Sequence, residues 1–261
     1  MNRIFRTFFI FLLLLSARST VAEPLNVAES TKGDDSYSAR QVHSKNLDGL
    51  TAIPSAQLLP CRQSSANLDT LFQRAHQAQQ ELSQLLQDIA QHTQTHVVLP
   101  PLKSYQRAQD KVAAKFKGDA SQITDLARAS LVAESIYDLM GAFEQLQFQT
   151  QMVQIKNRFA EPKASGYRDL NLLVQLPKSR MIVEVQLHLS AIAAIKSGAE
   201  HQTYEQVQAI ERRALLSQRP LSEFELAHIA KLRQTSHKQY HKAWLSYKRT
   251  DSGRYLPAAS A

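Results

Sequence analysis

Cysteine and long hydrophobic runs are both scarce in this sequence. The 261-residue chain has one cysteine, Cys61, so it cannot form an internal disulfide, even in an oxidising compartment. Its strongest apolar run covers residues 8–15 only, whereas a helix that crosses a bilayer needs about 20 apolar residues. These shortages exclude a disulfide-stabilised scaffold and argue against a membrane-spanning segment.

The apolar run near the N-terminus has the surroundings of a secretory signal. Arg3 and Arg6 precede it, and the residues Thr-Val-Ala at 20–22 follow it. The alternative is a retained membrane anchor, for which the run is too short. We therefore expect residues 1–22 to be a cleaved signal peptide, the mature chain to be exported (periplasmic or secreted), and no stable membrane anchor to remain after cleavage.

The chain as a whole has the composition of a soluble globular protein, with 43% hydrophobic and 21% charged residues. Residues 23–66 are rich in small and polar residues without sustained periodicity, which predicts a disordered or linker segment. Apolar residues recur at helical spacing from Asn67 to about His92, so a core helix is expected there. Residues 216–261 are predicted to form a C-terminal helix and tail.

The stretch from Asn171 to Leu187 is typical of a β-hairpin. Two runs of β-branched and aliphatic residues, 171–176 and 181–187, flank the turn-forming sequence Pro-Lys-Ser-Arg. Because side chains alternate along a strand, one face of the hairpin is apolar and the other is polar. Glu184 stands in the middle of the polar face, where it requires solvent, a cationic partner or a metal ion.

A stripe of positive charge precedes this hairpin. Ser104 is a candidate N-cap. Four cations at four-residue spacing, the first of them directly before Ser104, share one helix face: Lys103, Arg107, Lys111 and Lys115. Cations near the positive end of a helix dipole repel it, which indicates a bound anion. A solvated basic face is the alternative.

Asp125 stands at the start of a predicted strand over residues 123–132. A lone aspartate at such a boundary is ordinarily a cap, and a metal ligand is the alternative. Arg128 follows three residues later and has the chemistry to pair with it or to contact a phosphate.

These motifs together resemble one family. The sequences GYRD at 166–169 and EVQLHL at 184–189 resemble the GYxS and EIQxR-type motifs of RelA/SpoT-type (p)ppGpp synthetase domains, and Lys103 and Lys111 have the spacing of that family's two ATP-binding lysines. The resemblance covers about residues 68–204, and we assign 67–215 to this domain. It implies a nucleotidyltransferase-like α+β fold, a small mixed β-sheet flanked by helices, which also fits the order of the predicted elements.

The resemblance also implies roles for individual residues. ATP would be bound by Lys103, Arg107 and Lys111. Asp125 and Glu184 would hold Mg²⁺ and perform catalysis, with Glu184 as the candidate base. The acceptor nucleotide would be bound by Lys156, Arg158, Lys163, Tyr167, Asn171 and Gln186, with Tyr167 stacked on the base. Arg128 and His201 are weaker site candidates. His201 and Tyr204 together resemble the HxxYK-like element at the end of the family's domain.

Two positions depart from the family pattern. Pro101 stands where long members have an arginine, and Asn171 stands where they have a histidine, so the donor site is altered and the choice of acceptor stays open. The chain has no HD dyad, which excludes the metal-dependent hydrolase half of bifunctional members.

The reaction implied is a GTP diphosphokinase-like transfer. A pyrophosphate would pass from ATP to the 3′-hydroxyl of a guanine nucleotide, GDP or GTP, with tRNA as a further candidate acceptor. The alternative is a catalytically degenerate module of the same fold that binds nucleotide or RNA. Because a signal sequence conflicts with cytosolic substrates, we also consider an exported effector that is delivered into another cell.

The final helix offers one more choice between functions. Tyr240, Trp244 and Tyr247 form a single stripe with basic residues nearby. Such a stripe either packs in the core, with a solvated basic face outside, or forms an RNA-binding surface. The pattern favours core packing.

Overall fold

A computed structural model describes residues 43–253 of the chain. The expected signal peptide, residues 1–22, and the first part of the expected linker lie outside the described residues. Within residues 43–253, no helix has the length and apolar character that crossing a bilayer requires.

The fold contains seven α-helices and six β-strands within the described range. The helices are α1 (Leu47–Ala52), α2 (Leu68–Thr93), α3 (Tyr105–Phe116), α4 (Ile136–Gln149), α5 (Ser190–Ser197), α6 (Glu200–Leu216) and α7 (Glu223–Gly253). The strands are β1 (Ala56–Gln57), β2 (Thr95–Val98), β3 (Arg128–Ala133), β4 (Gln151–Asn157), β5 (Leu170–Gln175) and β6 (Ile182–Leu189). A short 3₁₀ turn, Ala120–Gln122, precedes β3.

The strands form one mixed sheet in the order β1-β4-β5-β6-β3-β2. All neighbouring pairs are antiparallel except β3 and β6, which run parallel. Helices α2 and α4 pack against β3, and α4 also packs against β6. This confirms the predicted α+β class, a small mixed sheet flanked by helices.

The hairpin and its two faces form as predicted. In β5 and β6, Leu172 pairs with Val185 and Val174 pairs with Val183, and all four side chains are buried in the main core. The opposite face carries Asn171, Glu184 and Gln186 in neighbouring registers. The polar face therefore belongs to the central strands of the sheet.

The predicted helix starts are also confirmed. The side chains of Asn67, Ser104 and Ser135 cap α2, α3 and α4 by accepting hydrogen bonds from backbone N–H groups of the first turn. The capping box of α7 is complete, because the Glu225 N–H donates to Ser222 Oγ and the Ser222 N–H donates to the Glu225 carboxylate.

The expected linker is wrong for residues 43–66. They carry α1 and β1, and Leu50 and Ile53 are fully buried in the core. Asn157 fixes this segment, because its side-chain amide donates to the carbonyl oxygens of both residues, at 2.7 and 2.9 Å. Elements of six and two residues are too short to produce a recognisable periodicity.

Two predicted boundaries are corrected as well. The strand expected from residue 123 begins only at Arg128, because residues 120–122 form the 3₁₀ turn. The single helix expected over 191–214 is two helices, α5 and α6, which separate near Gly198, the residue that ends α5. Glycine is a poor helix former, and the break lets α6 take a new direction.

Helix α7 confirms the core-packing interpretation of its aromatic stripe. Tyr240 and Trp244 are 1% and 5% exposed, and the Trp244 ring lies 5.5 Å from the ring of Phe159. Tyr247 is partly buried, and its hydroxyl accepts a hydrogen bond from the backbone N–H of Ala191. The alternative, that these rings stack on RNA, is not supported, because they are used inside the protein.

Candidate active site

The polar face of the sheet is assembled by two neighbours of β6. The parallel pairing places Arg128 opposite Glu184 and Ser130 opposite Gln186, while the antiparallel pairing places Asn171 opposite Gln186. Residues from three strands, far apart in sequence, thereby share one face. This brings together three of the predicted site residues, Asn171, Glu184 and Gln186.

A cluster of opposite charges lies just before β3. Asp125 Oδ2 accepts from Lys103 Nζ at 2.6 Å and from Lys111 Nζ at 2.8 Å. Lys103 immediately precedes the N-cap of α3, and Lys111 lies two turns further along the same helix face. We call these three residues the lysine–aspartate cluster.

The cluster keeps Asp125 ionised although it is largely buried. Burial alone would raise the pKa of this carboxyl, but the two ammonium groups outweigh it and lower the pKa below its ordinary value. Burial also lowers the pKa of Lys103, because Asp125 only partly offsets the loss of solvent. Asp125 Oδ1 is buried and has no hydrogen-bond partner within the described chain.

Arg107, the third predicted ATP ligand, lies apart from this cluster. Its side chain and that of Lys115 are exposed on α3, and neither contacts Asp125. The four-residue spacing therefore yields two inward lysines and two solvated cations. The ATP-binding role of Arg107 stays a prediction.

Glu184 is held by two amides. Asn171 Nδ2 and Gln186 Nε2 both donate to its Oε1, the latter at 3.2 Å. Its backbone N–H donates to the carbonyl of Ala127 at 3.3 Å, which joins β6 to the residues that follow Asp125. Asn171, a departure from the family pattern, thus orients the candidate base.

A buried polar network occupies the loop between β4 and β5. The Arg158 guanidinium donates to both oxygens of Asp169, at 2.7 and 3.0 Å, and Asp169 is fully buried. The Tyr167 hydroxyl lies 2.8 Å from Asp169 Oδ2 and 2.7 Å from His188 Nε2. We call these four residues the buried network.

Burial dominates the ionisation of this network. It raises the pKa of Asp169 despite the neighbouring guanidinium, and it raises the pKa of Tyr167 well above the ordinary value. Burial, with Lys196 and Arg158 nearby, lowers the pKa of His188 well below its usual range. His188 is therefore neutral at physiological pH.

Tyr167 is not an open stacking surface in this structure. It is 7% exposed, its ring meets Tyr240 edge-on at 5.6 Å, and the ammonium groups of Lys163 and Lys196 lie 5.5 and 5.9 Å from its centroid. A nucleobase could stack there only after these groups moved. The expected stacking role is corrected, because the ring and hydroxyl are already used for packing and hydrogen bonding.

The loop that carries Tyr167 rests on helix α7. Gly166 has a φ of +79°, and a Cβ there would lie 3.1 Å from the Cα of His237. The Arg168 guanidinium lies 4.9 Å from the Trp244 ring centroid and donates to the carbonyl of Phe159 at 2.5 Å. Glycine is therefore required at 166, and the arginine of GYRD serves packing.

The remaining predicted residues are placed less closely. Lys156 is exposed beside Asn171 in the β4–β5 register. Lys163 approaches the Tyr167 ring, and burial there lowers the pKa of its ammonium group, although Asp169 and Glu184 partly offset the effect. Arg158 is committed to Asp169, not open to a phosphate. Arg128 lies beside Glu184, and its Nε is buried without a hydrogen-bond partner in the described part of the chain.

His201 lies outside these clusters. It is exposed on α6, and its ring contacts Glu205 at 3.3 Å and stacks on Tyr204, both in the same helix. Helix neighbours explain these contacts, so the structure supports its structural interpretation.

Sequence reasoning missed three groups of this site: the buried Asp169 and His188, and the partly buried Lys196. Lys196 Nζ, from α5, donates to Gln186 Oε1 at 2.7 Å. The signal for the first two was present, since both lie inside the motifs GYRD and EVQLHL, and His188 stands where the EIQxR-type motif has its arginine. For Lys196 there was none, because its contact depends on how α5 folds back over β6.

Comparison with known proteins gave one family match. Residues 101–209 match the family model for the region found in RelA/SpoT proteins. A search of curated protein sequences gave no significant match.

Several solved structures share the fold. Small alarmone synthetase 2 from Bacillus subtilis is 19% identical, with a TM-score of 0.51, over 70% of this chain and 98% of that chain. Small alarmone synthetase 1 from Bacillus subtilis, bound to its product pppGpp, is 18% identical (TM-score 0.50; 70% and 96%). The Type VI effector Tas1, in complex with its immunity protein, is 21% identical (TM-score 0.50; 69% and 99%). At these identities the likeness shows the fold, and the family match shows that residues 101–209 resemble the region found in RelA/SpoT proteins.

Proposed function

We propose that this protein transfers a pyrophosphate group from ATP to the 3′-hydroxyl of a guanine nucleotide, releasing AMP. One observation carries the proposal: two lysines converge on Asp125 just before β3, while the parallel neighbour of that strand, β6, presents Glu184. Phosphoryl-type transfer needs mainly positioning and neutralisation of charge, which such a combination supplies.

The two lysines are suited to the triphosphate of ATP. An ammonium group binds phosphate as a point charge, and both groups are already partly desolvated beside a carboxylate. On this proposal they exchange some of their interaction with Asp125 for phosphate oxygens when ATP binds.

Glu184 is suited to remove the proton from the acceptor hydroxyl. Its carboxylate is half-buried on the polar face, and the amides of Asn171 and Gln186 fix its orientation. A general base must be held within hydrogen-bond reach of the proton that it accepts. Since neither amide donor is charged, no ion pair competes for this carboxylate at those two contacts.

On this proposal the carboxylates of Asp125 and Glu184 would hold a magnesium ion. Mg²⁺ prefers oxygen ligands and is usually held by one or two carboxylates together with substrate phosphates. Asp125 Oδ1 is buried without a partner, and among the described residues there is no group of three or more acidic, histidine or cysteine side chains that could form a metal site. When bound, the ion would neutralise charge on the phosphates.

The test is a transfer assay with defined acceptors. Purified protein is incubated with Mg²⁺ and labelled ATP and with GMP, GDP, GTP, an adenine nucleotide or tRNA in turn, and AMP and 3′-pyrophosphorylated product are measured. We expect transfer to GDP or GTP, and none with Glu184→Gln. Nucleotide binding without AMP release would favour the alternative, a binding module that has lost catalysis.

We further propose that the protein is exported and acts as a nucleotide-consuming effector in a recipient cell. The support is the signal pattern of residues 1–22, which conflicts with a substrate found in the cytosol. Residues 1–22 fused to a reporter should direct its export and be cleaved. Residues 23–261 produced in a bacterial cytosol should arrest growth, and Glu184→Gln should relieve the arrest. Soluble, harmless wild-type protein with unchanged nucleotide pools would contradict the effector role.

A further inference from the structure

Lys196 is a cation that the proposed reaction has not used. It lies near the end of α5, a helix that begins directly after β6. Its ammonium nitrogen contacts Gln186 at 2.7 Å and His188 Nε2 at 3.4 Å, so α5 folds back over the polar face of the strand that precedes it. Lys196 therefore contacts Gln186, which in turn contacts Glu184.

The contact with Gln186 determines which way its amide points. An ammonium group can only donate hydrogen bonds, so the amide oxygen of Gln186 faces Lys196 and the NH₂ group faces Glu184 Oε1 at 3.2 Å. In the opposite orientation the amide oxygen would face the carboxylate oxygen, and the NH₂ group would face the ammonium. Both contacts would then be repulsive.

Other contacts hold Lys196 in this place. His188 is neutral, so its ring does not repel the ammonium group strongly. The carboxylates of Asp169 and Glu184 attract the ammonium group, and its nitrogen lies 5.9 Å from the Tyr167 ring centroid, within the range of a cation–π contact. Lys196 therefore connects the buried network to the candidate base.

We propose that Lys196 is a positioning residue, which fixes the Gln186 amide so that Glu184 is held in the orientation needed for proton transfer. This inference rests on the proposed function for its kinetic consequence. The position that carries an arginine in the EIQxR-type motif is neutral His188 in this chain, and Lys196 supplies positive charge beside it from a different element.

The kinetic test separates turnover from binding. Lys196→Met should lower kcat roughly tenfold to a hundredfold, because one hydrogen bond from a charged group is lost. The KM for ATP should stay within about twofold, since Lys103 and Lys111 are untouched. Lys196→Arg should recover part of kcat, because a guanidinium also donates to Gln186 Oε1. Ser197→Ala is the matched control, since its hydroxyl bonds only within α5, and it should behave as wild type.

A double-substitution cycle tests whether Lys196 acts through Gln186. Once Gln186→Leu has removed the amide, adding Lys196→Met should lower kcat no further. If the two losses multiply, Lys196 acts independently and the proposal is overturned. Should Lys196→Met fail to fold, Lys196→Arg and Gln186→Leu, alone and combined, give the same comparison.

A spectroscopic readout does not depend on catalysis. In the wild type, the side-chain amide protons of Gln186 should show separate, displaced NMR signals and slow exchange with water. In Lys196→Met they should move towards the values of a free glutamine. Unchanged signals would overturn the proposal. Displaced signals in a wild type that shows no transfer would instead mean that the proposed function is wrong while the contact is real.

Discussion

The site contains two aspartates with cationic neighbours, and their pKa values shift in opposite directions. In the lysine–aspartate cluster, the Asp125 side chain is 13% exposed, two ammonium groups share one of its oxygens, and its pKa is lowered. In the buried network, Asp169 is 0% exposed, one guanidinium holds both of its oxygens, and its pKa is raised. Two ammonium groups overcome partial burial, whereas one guanidinium does not overcome complete burial.

The two aspartates therefore suit two different roles. Lysines on flexible stems beside a partly solvated carboxylate can exchange that carboxylate for phosphate at modest cost. A bidentate pair inside the protein cannot open without leaving a charge uncompensated. The first arrangement suits substrate binding, and the second fixes the shape of the loop that carries Tyr167.

The largest effect is expected at Glu184, which belongs to neither group. Glu184→Gln should lower transfer by roughly 10²- to 10⁴-fold, because the amide keeps the shape but cannot accept the proton. Steady-state kinetics beside thermal unfolding measure this. Glu205→Gln, on the outer face of α6, is the control. A stability loss as large as the activity loss would place Glu184 in the buried network instead.

The buried network should be the more costly of the two to break. Arg158→Met leaves Asp169 buried without its guanidinium, so the free energy of unfolding should fall by about 3–5 kcal/mol. Chemical denaturation measures it. A change below about 1 kcal/mol would mean that water reaches Asp169 and that the two aspartates do not differ as described.

A substitution in the lysine–aspartate cluster should change the affinity for ATP more than the free energy of unfolding. Lys111→Met removes one charged donor, so ATP affinity should fall roughly 10- to 150-fold. Unfolding free energy should change by no more than about 1 kcal/mol, because Lys103 still pairs with Asp125. Calorimetric titration with ATP tests this, with Lys115→Met on the same helix as control. Equal effects of the two substitutions would contradict the distinction between inward and solvated lysines.

The smallest expected effect is a pH dependence of the buried network. The pKa of His188 is lowered in the folded state, so below about pH 6.5 the unfolded chain binds a proton at this residue that the folded chain does not bind. The free energy of unfolding therefore falls as the pH drops below that value. Between pH 7.5 and 5.5 the wild type should lose roughly 1.4 kcal/mol more than His188→Gln, which keeps a polar partner for Tyr167. Parallel unfolding curves at several pH values measure the difference. Identical pH profiles would show that His188 charges freely.

Periodic patterns predicted most of the fold. The hairpin, helix α2 and the caps at Ser104 and Ser135 follow from local rules, and the structure confirms them. Segments α1 and β1 were missed because six and two residues are too few to show a recurring pattern, and because they are held by distant partners, Asn157 for α1 and strand β4 for β1. Local sequence does not encode such contacts.

The part of the site that could be predicted is the lysine–aspartate cluster, because its charged residues form a pattern in the sequence. Lys103, Lys111 and Asp125 were selected by spacing and family resemblance, and the structure brings them together. Tyr167 was assigned to stacking on the acceptor base through the family resemblance, but its environment is set by α7 and α5, whose packing no motif records. The motifs therefore contained the residues of the buried network, but their mutual contacts became visible only in the tertiary structure.

The packing of Gly166 against α7 limits where the chain can be truncated. Residues matching the RelA/SpoT family end at 209, yet Gly166 lies against the backbone of His237 in α7, and Arg168 lies over Trp244 in the same helix. A chain ending near residue 216 would retain every predicted site residue and lose the surface that shapes the Tyr167 loop. The region that matches the family model is thus shorter than the region that packs together, and substitutions in α7 at these contacts would change the shape of the Tyr167 loop.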